Sequence, residues 1–254
     1  MSERQRRDTF IAIEGLDRSG KSTQTVLLAE RLQRTGVDTK LIKFPDRSTP
    51  IGKMIDAYLR SQAELDDYAI HLLFSANRWE LACVCPRQSV SKTPTADPTF
   101  LPIDLPLKMH CAGTTVICDR FAFSGIAFSA AKAREGLSYE WCRASDVYLP
   151  APDATLFLNV SPAAAAARGG YGKERYETED VQAQVCAVFD RIGAEVKEAE
   201  GTWITVDADA STEEVAQAVW EFVKPFSYGT ELPLRRLWDH LQEDKRRNPE
   251  LYYM

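Results

Sequence analysis

Five short stretches carry residues able to hold and move a phosphoryl group. The first is GLDRSGKST, Gly15–Thr23. Two glycines five positions apart, followed by Lys-Ser, let successive backbone N–H groups curl around an anion, and a helix starting there adds its partial positive charge. In such a P-loop Ser19, Gly20 and Thr23 cradle phosphates, the Lys21 ammonium reaches the outer phosphates, and the Ser22 hydroxyl is a ligand for Mg²⁺. The tip is unusual, because Asp17 stands beside Arg18. A carboxylate is repelled by phosphate, so Asp17 needs a different partner.

The second stretch, VICDR, ends an apolar run with Asp119 and Arg120. Open α/β sheets bind ligands at the carboxyl ends of their strands, which makes Asp119 a metal carboxylate and Arg120 a phosphate clamp. FPDRST leaves Arg47 in a loop, and LLFSANRWE sets Phe74 and Arg78 four residues apart on one helical face. An aromatic ring and a guanidinium on one face suit a flat heterocycle. RGGYGKERYE, residues 168–177, gathers glycines with Arg168, Lys173 and Arg175 between two helices, as a lid over polyphosphate would.

These residues need elements to position them. Short β-branched or apolar runs at residues 9–14, 39–45, 114–119, 154–160 and 202–208 predict five strands. Helical spacing over 21–35, 51–60, 68–82, 122–133, 161–168, 179–200 and 211–223 predicts helices between and after them. Alternation of that kind gives an α/β fold, a five-stranded parallel sheet with helices on both faces. The expected organisation is a disordered tail over 1–8, one P-loop domain over 9–230 with its lid at 168–178, and a C-terminal helical extension over 231–254. Residues 83–113 interrupt the pattern. Prolines at 86, 94, 98, 102 and 106 forbid a continuous helix or a central strand there, so this is an atypical Pro-rich insertion.

Composition narrows the rest. At 254 residues the chain is long enough for one large domain, and a net charge of −6 speaks against nucleic acid as the main partner. No run approaches the roughly 20 apolar residues of a membrane span. The six cysteines show no C-x-x-C spacing, and the start MSERQRRD has no apolar signal core. The expectation is an intracellular protein with reduced thiols, placed in the cytoplasm, with nucleus and mitochondrion as alternatives. Only three histidines occur, widely separated, which leaves no basis for a histidine metal site or relay.

FIAIEGLDRSGKSTQ, KFPDRSTPIGKMIDAYL, HLLFSANRWE, DRFAFSGIAFSAAK, WCRASDVYLPAPDATLFLNV, RGGYGKERYE and ELPLRRLW, in that order, resemble the eukaryotic type of thymidylate kinase, within the P-loop nucleoside-monophosphate kinases. The resemblance runs over nearly all of residues 9–238 except 83–113. It implies transfer of a phosphoryl group from ATP to thymidine monophosphate (dTMP) with Mg²⁺, in a homodimer formed through helix 68–82. It also implies that ATP lies on Arg18–Thr23 with its adenine near Arg168, and that Arg18 is catalytic with Lys21, Asp119 and Arg120. On the acceptor side it implies a base against Phe74 read by Arg78, with Ser124 and Gly125 beside it. The acceptor phosphate would meet Arg47 and Arg120, Phe128 would crowd the sugar, and Tyr176 would approach from the lid. Asp17 would then face the acceptor's 3′-hydroxyl, which answers the question of its partner. The alternatives are a different or broader pyrimidine monophosphate kinase, and a non-catalytic nucleotide-binding paralogue.

Overall fold

Burial along the strands reports their order. In the computed structural model, which describes residues 6–82, 114–168, 176, 179–239 and 241, Phe10–Gly15 (β1) and Thr115–Asp119 (β3) are buried at every position. Ala154–Asn159 (β4) is buried at all but its last residue. Strands covered on both faces read as unbroken apolar runs, and these three are central. Thr39–Lys43 (β2) and Trp203–Asp207 (β5) are only partly buried, as edge strands are. The sheet is parallel throughout, in the order β2-β3-β1-β4-β5.

Register decides which side chains meet. Asp119 pairs with Ile13 of β1 and with Lys43 of β2, so the last residues of β2 and β3 are level with the strand that enters the phosphate loop. Lys21–Arg34 (α1) starts with Gly20 at its N-cap, φ 90°, and no side chain caps it. Its first N–H groups are therefore left to the loop. Thr25, Leu28, Ala29 and Leu32 form its buried stripe.

Pro50–Leu59 (α2) opens on a proline at the first turn, and the Thr49 hydroxyl accepts the Gly52 N–H. Asp67–Ala82 (α3) packs on α2 and on Ala122–Ala130 (α4). Tyr139–Ala144 (α5) is capped by Ser138, Pro162–Ala167 (α6) by Ser161, and Thr212–Val223 (α8) by a Ser211–Glu214 capping box. Glu179–Glu198 (α7) lies against α4 and β5. Phe157, Phe189 and Trp203 pack ring on ring under it, with centroids 4.9–6.4 Å apart.

Several expectations change. The helix expected over 122–133 stops at Ala130, and Ala133 turns the chain at φ 48°. α5 was not foreseen. The tail is not loose from residue 6 onward: Arg7 forms a β-bridge with Thr230 and a forked ion pair with Asp153. Residues 231–238 hold no helix. They run extended against the domain instead, Arg236 bridging Pro150, with Leu237 and Trp238 buried and Trp238 edge-on to Phe123. Burying two such side chains favours this path, and Pro233 disfavours a helix there. The Pro-rich insertion over 83–113, most of the lid over 168–178 and residues 242–254 lie outside the described residues. Among the described residues no helix is long and apolar enough to cross a membrane.

Candidate active site

At the carboxyl edge of the sheet a cleft of about 370 Å³ opens between the phosphate loop, α2, α3 and α4. The loop holds its residues under local strain. Arg18 adopts φ 61°, a left-handed conformation that non-glycine residues seldom take. Lys21 is 6% exposed; its Nζ donates to the Leu16 carbonyl and to Ser19 Oγ at 3.2 Å. Burial, helped by the Arg120 charge, pushes the Lys21 ammonium down to about 7 against the pull of Asp17, Asp119 and Glu14.

Two oxygens stand ready for a cation. Ser22 Oγ donates to Asp119 Oδ2 at 2.5 Å, and the Lys43 ammonium lies 3.2 Å from the same Oδ2 and 2.9 Å from Ser22 Oγ. Asp119 Oδ1 is buried with no hydrogen-bond partner. A hard hydroxyl beside an orphaned carboxylate oxygen fits Mg²⁺, which takes one or two protein oxygens and fills its octahedron with phosphate oxygens and water. Among the described residues no group of three or more His, Cys, Asp or Glu is placed to hold a metal ion.

Asp17 has protein partners. Its carboxylate receives the Arg120 guanidinium on Oδ1 and the Gln182 amide on Oδ2, 3.1 Å away, while its N–H donates to Gln182 Oε1 at 3.2 Å. Burial alone would raise the Asp17 pKa, but the charges of Arg120 and Lys21 outweigh it and hold the carboxyl below its ordinary range. Arg120, at φ 67°, also reaches the Gly15 carbonyl and Ser124 Oγ, each at 3.2 Å, and lies over the Phe128 ring. Beneath it Glu14 is fully buried. It accepts the Phe121 and Ser124 N–H groups and the Ser124 hydroxyl, so it caps α4 from the neighbouring strand. Burial raises the Glu14 pKa, and the Ser124 hydroxyl and the Arg120 charge oppose the rise.

The other half of the cleft is more apolar and less charged. Phe44, Pro45, Leu59, Phe74, Gly125, Phe128 and Tyr176 line it together with Arg47 and Arg78. Phe128 and Tyr176 pack with centroids 5.6 Å apart, and the Tyr176 carbonyl accepts the Gln182 amide at 2.7 Å. Arg47 pairs with Asp56 at 2.7 Å on the rim. Arg78 is buried in a forked pair with Asp146.

Almost every residue singled out in the sequence is thus brought to one cleft: Asp17, Arg18, Gly20, Lys21, Ser22, Thr23, Arg47, Phe74, Arg78, Asp119, Arg120, Ser124, Gly125, Phe128 and Tyr176. Ser19 and Arg168 stand just behind the wall. Ser19 is 2% exposed, and Arg168 clips the loop to β5 by donating to the carbonyls of Arg18 and Ala208. Glu14, Lys43, Asp146 and Gln182 were missed. Lys43 ends β2 and Glu14 is the last residue but one of β1, both strands running into the site, a signal that was available. Asp146 lies within the stretch WCRASDVYLPAPDATLFLNV, but nothing there marks it as a partner of Arg78, and Gln182 carries no signal at all.

Comparison with known proteins points the same way. The thymidylate kinase family matches residues 13–93 and 108–219, passing over 94–107 inside the Pro-rich insertion. Thymidylate kinase of Schizosaccharomyces pombe is 46% identical over 220 residues, 87% of this chain and 93% of its own. The human thymidylate kinase is 39% identical over 92% of this chain and 98% of its own. A solved thymidylate kinase from Candida albicans superposes with a TM-score of 0.71 at 36% identity, covering 91% of this chain and 99% of that one. With its P-loop, its five-stranded parallel sheet and its matching over most of the chain, the protein belongs to the thymidylate kinase family, on the P-loop nucleoside-monophosphate kinase fold.

Proposed function

We propose that the chain transfers the γ-phosphoryl group of ATP to thymidine monophosphate, giving thymidine diphosphate and ADP, by the following division of labour. The phosphates of ATP lie on the loop from Arg18 to Thr23, with Arg168 toward the adenine. Phe74 carries the acceptor base and Arg78 reads its edge beside Ser124 and Gly125. Arg47 and Arg120 take the acceptor phosphate, while Phe128 and Tyr176 border its sugar and Asp17 meets the 3′-hydroxyl. Holding both nucleotides in line supplies much of the acceleration. Lys21, Arg18 and Arg120 oppose the charge that spreads over the moving phosphoryl group. When bound, Mg²⁺ held by Ser22, Asp119 and phosphate oxygens adds to that neutralisation.

The observation that carries this reading is the meeting, in one cleft, of a phosphate loop and an aromatic–guanidinium pocket, bridged by Arg120. Cytoplasmic residence and a homodimer belong to the same reading; half-exposed Met54 of α2 and Leu72 of α3 supply apolar surface for such pairing.

Coupled ADP release with a panel of monophosphates tests the acceptor. The expected result is a clear preference for thymidine monophosphate. Arg78→Ala should raise the acceptor KM by about tenfold or more, the worth of a charged hydrogen bond, and leave the ATP KM within a factor of two. Equal effects on both substrates would remove Arg78 from the acceptor site.

A further inference from the structure

Arg78 does not aim itself. Its side chain is 2% exposed, and Asp146, at 0%, holds two of its nitrogens: Nε donates to Oδ1 at 3.1 Å and Nη2 to Oδ2 at 2.6 Å. This forked pairing occupies one edge of the planar guanidinium. The far nitrogen, Nη1, passes over Gly125, where a Cβ would come within 2.6 Å of it, and the same arginine borders the cleft.

Asp146 is mounted in turn. His71, Ser75 and Arg78 recur at helical spacing on one face of α3, against the turn that follows α5. The Ser75 hydroxyl lies 2.9 Å from both the Ser145 carbonyl and Asp146 Oδ1. His71 Nε2 is 2.8 Å from the Cys142 carbonyl; a carbonyl only accepts, so Nε2 carries the proton. Rotating either member of the ion pair would leave the other charge buried and unpaired, which keeps the plane of the guanidinium fixed.

We propose that Asp146 is a specificity-determining positioning residue for the acceptor base. By fixing Arg78 it presents a rigid donor edge to the cleft. That edge admits a pyrimidine with a carbonyl at the ring position facing Arg78 and rejects one with an amino group there. The inference rests on the reading of Phe74 and Arg78 as the base pocket. A guanidinium has donors and no acceptor, so a ring carbonyl is satisfied while a ring amino group sets donor against donor and leaves both unpaired. A guanidinium able to swivel would relieve that conflict, and selection would fade.

The test compares kcat/KM for deoxyuridine and deoxycytidine monophosphates, which differ at that ring position and both lack the thymine methyl group. The wild type should prefer the deoxyuridine nucleotide. Asp146→Asn should narrow the preference by about tenfold, through the acceptor KM, with the ATP KM within a factor of two. A preference that stays unchanged while both activities fall together would make Asp146 structural only and overturn the inference. Should Asp146→Asn fail to fold, Asp146→Glu decides, since it keeps the charge but moves the carboxylate by one methylene and so turns the guanidinium it holds: a narrowed preference supports the inference and an unchanged one overturns it. A wild type without preference, or an Arg78→Met variant that keeps it, would instead bring down the base-pocket reading itself.

Discussion

Ser22 Oγ and Asp119 Oδ2 stand 2.5 Å apart, joining the first turn of α1 to the end of β3, while Oδ1 of the same carboxylate is buried without a partner. The pair therefore holds one oxygen in place and leaves one to be satisfied. Asp119→Asn keeps the shape and removes the charge. The Mg²⁺ concentration giving half-maximal turnover should rise on the order of tenfold in this variant and less in Ser22→Ala, whose position water can fill. A Mg²⁺ titration at fixed ATP measures both.

Arg18 sits at φ 61° at the tip of the loop, with its carbonyl held by Arg168. If its charge acts on the moving phosphoryl group, Arg18→Ala should lower kcat by about 10³-fold and change the ATP KM only a few-fold. Single-turnover kinetics would separate the chemical step from product release. A loss confined to KM would reassign Arg18 to ground-state binding.

Lys21 gives a pH signature of its own. Burial holds its folded-state pKa at about 7, below the ordinary 10.5. Between those values the unfolded chain keeps a proton that the folded, nucleotide-free chain has shed, so its stability rises with pH; below 7 both states are protonated and the burial cost is present in full. The melting temperature of the wild type relative to Lys21→Met should therefore climb from about pH 7 to about pH 9. A flat difference across that range would contradict the buried, depressed lysine.

Gly52 lies in the first turn of α2, where an added Cβ would fall 1.8 Å from the Asp46 carbonyl. That backbone cannot yield without moving Arg47, the next residue. Gly52→Ala should cost about 1–3 kcal/mol of stability, as overpacking does, and raise the acceptor KM more than the ATP KM. Thermal melts and initial rates on one preparation check both effects.

Much of the frame was legible because its signals are local. β1, β3 and β4 are buried on both faces and so announce themselves as apolar runs, and the phosphate loop lies where a strand meets a helix. α5 was not legible: a six-residue helix cannot pay for its own nucleation and stands only because Tyr139 and Cys142 are buried. Asp146 follows it, which is why the partner of Arg78 stayed hidden. The run 231–238 misled for the converse reason. It was expected to belong to the helical extension, yet Leu237 and Trp238 are taken up by the core.

Arg7 is the feature with the widest reach. It binds Asp153 through its guanidinium and Thr230 through its backbone, and Asp153 also accepts the Phe10 N–H. The start of β1, the approach to β4 and the chain beyond α8 are thus bolted together where the strands begin, the end opposite the cleft. In mechanical terms the sheet is a cantilever, clamped at its root and working at its tip. The clamp lies away from the loops at the tip, so a chain begun at Thr9 would keep every residue of the cleft but lose the clamp.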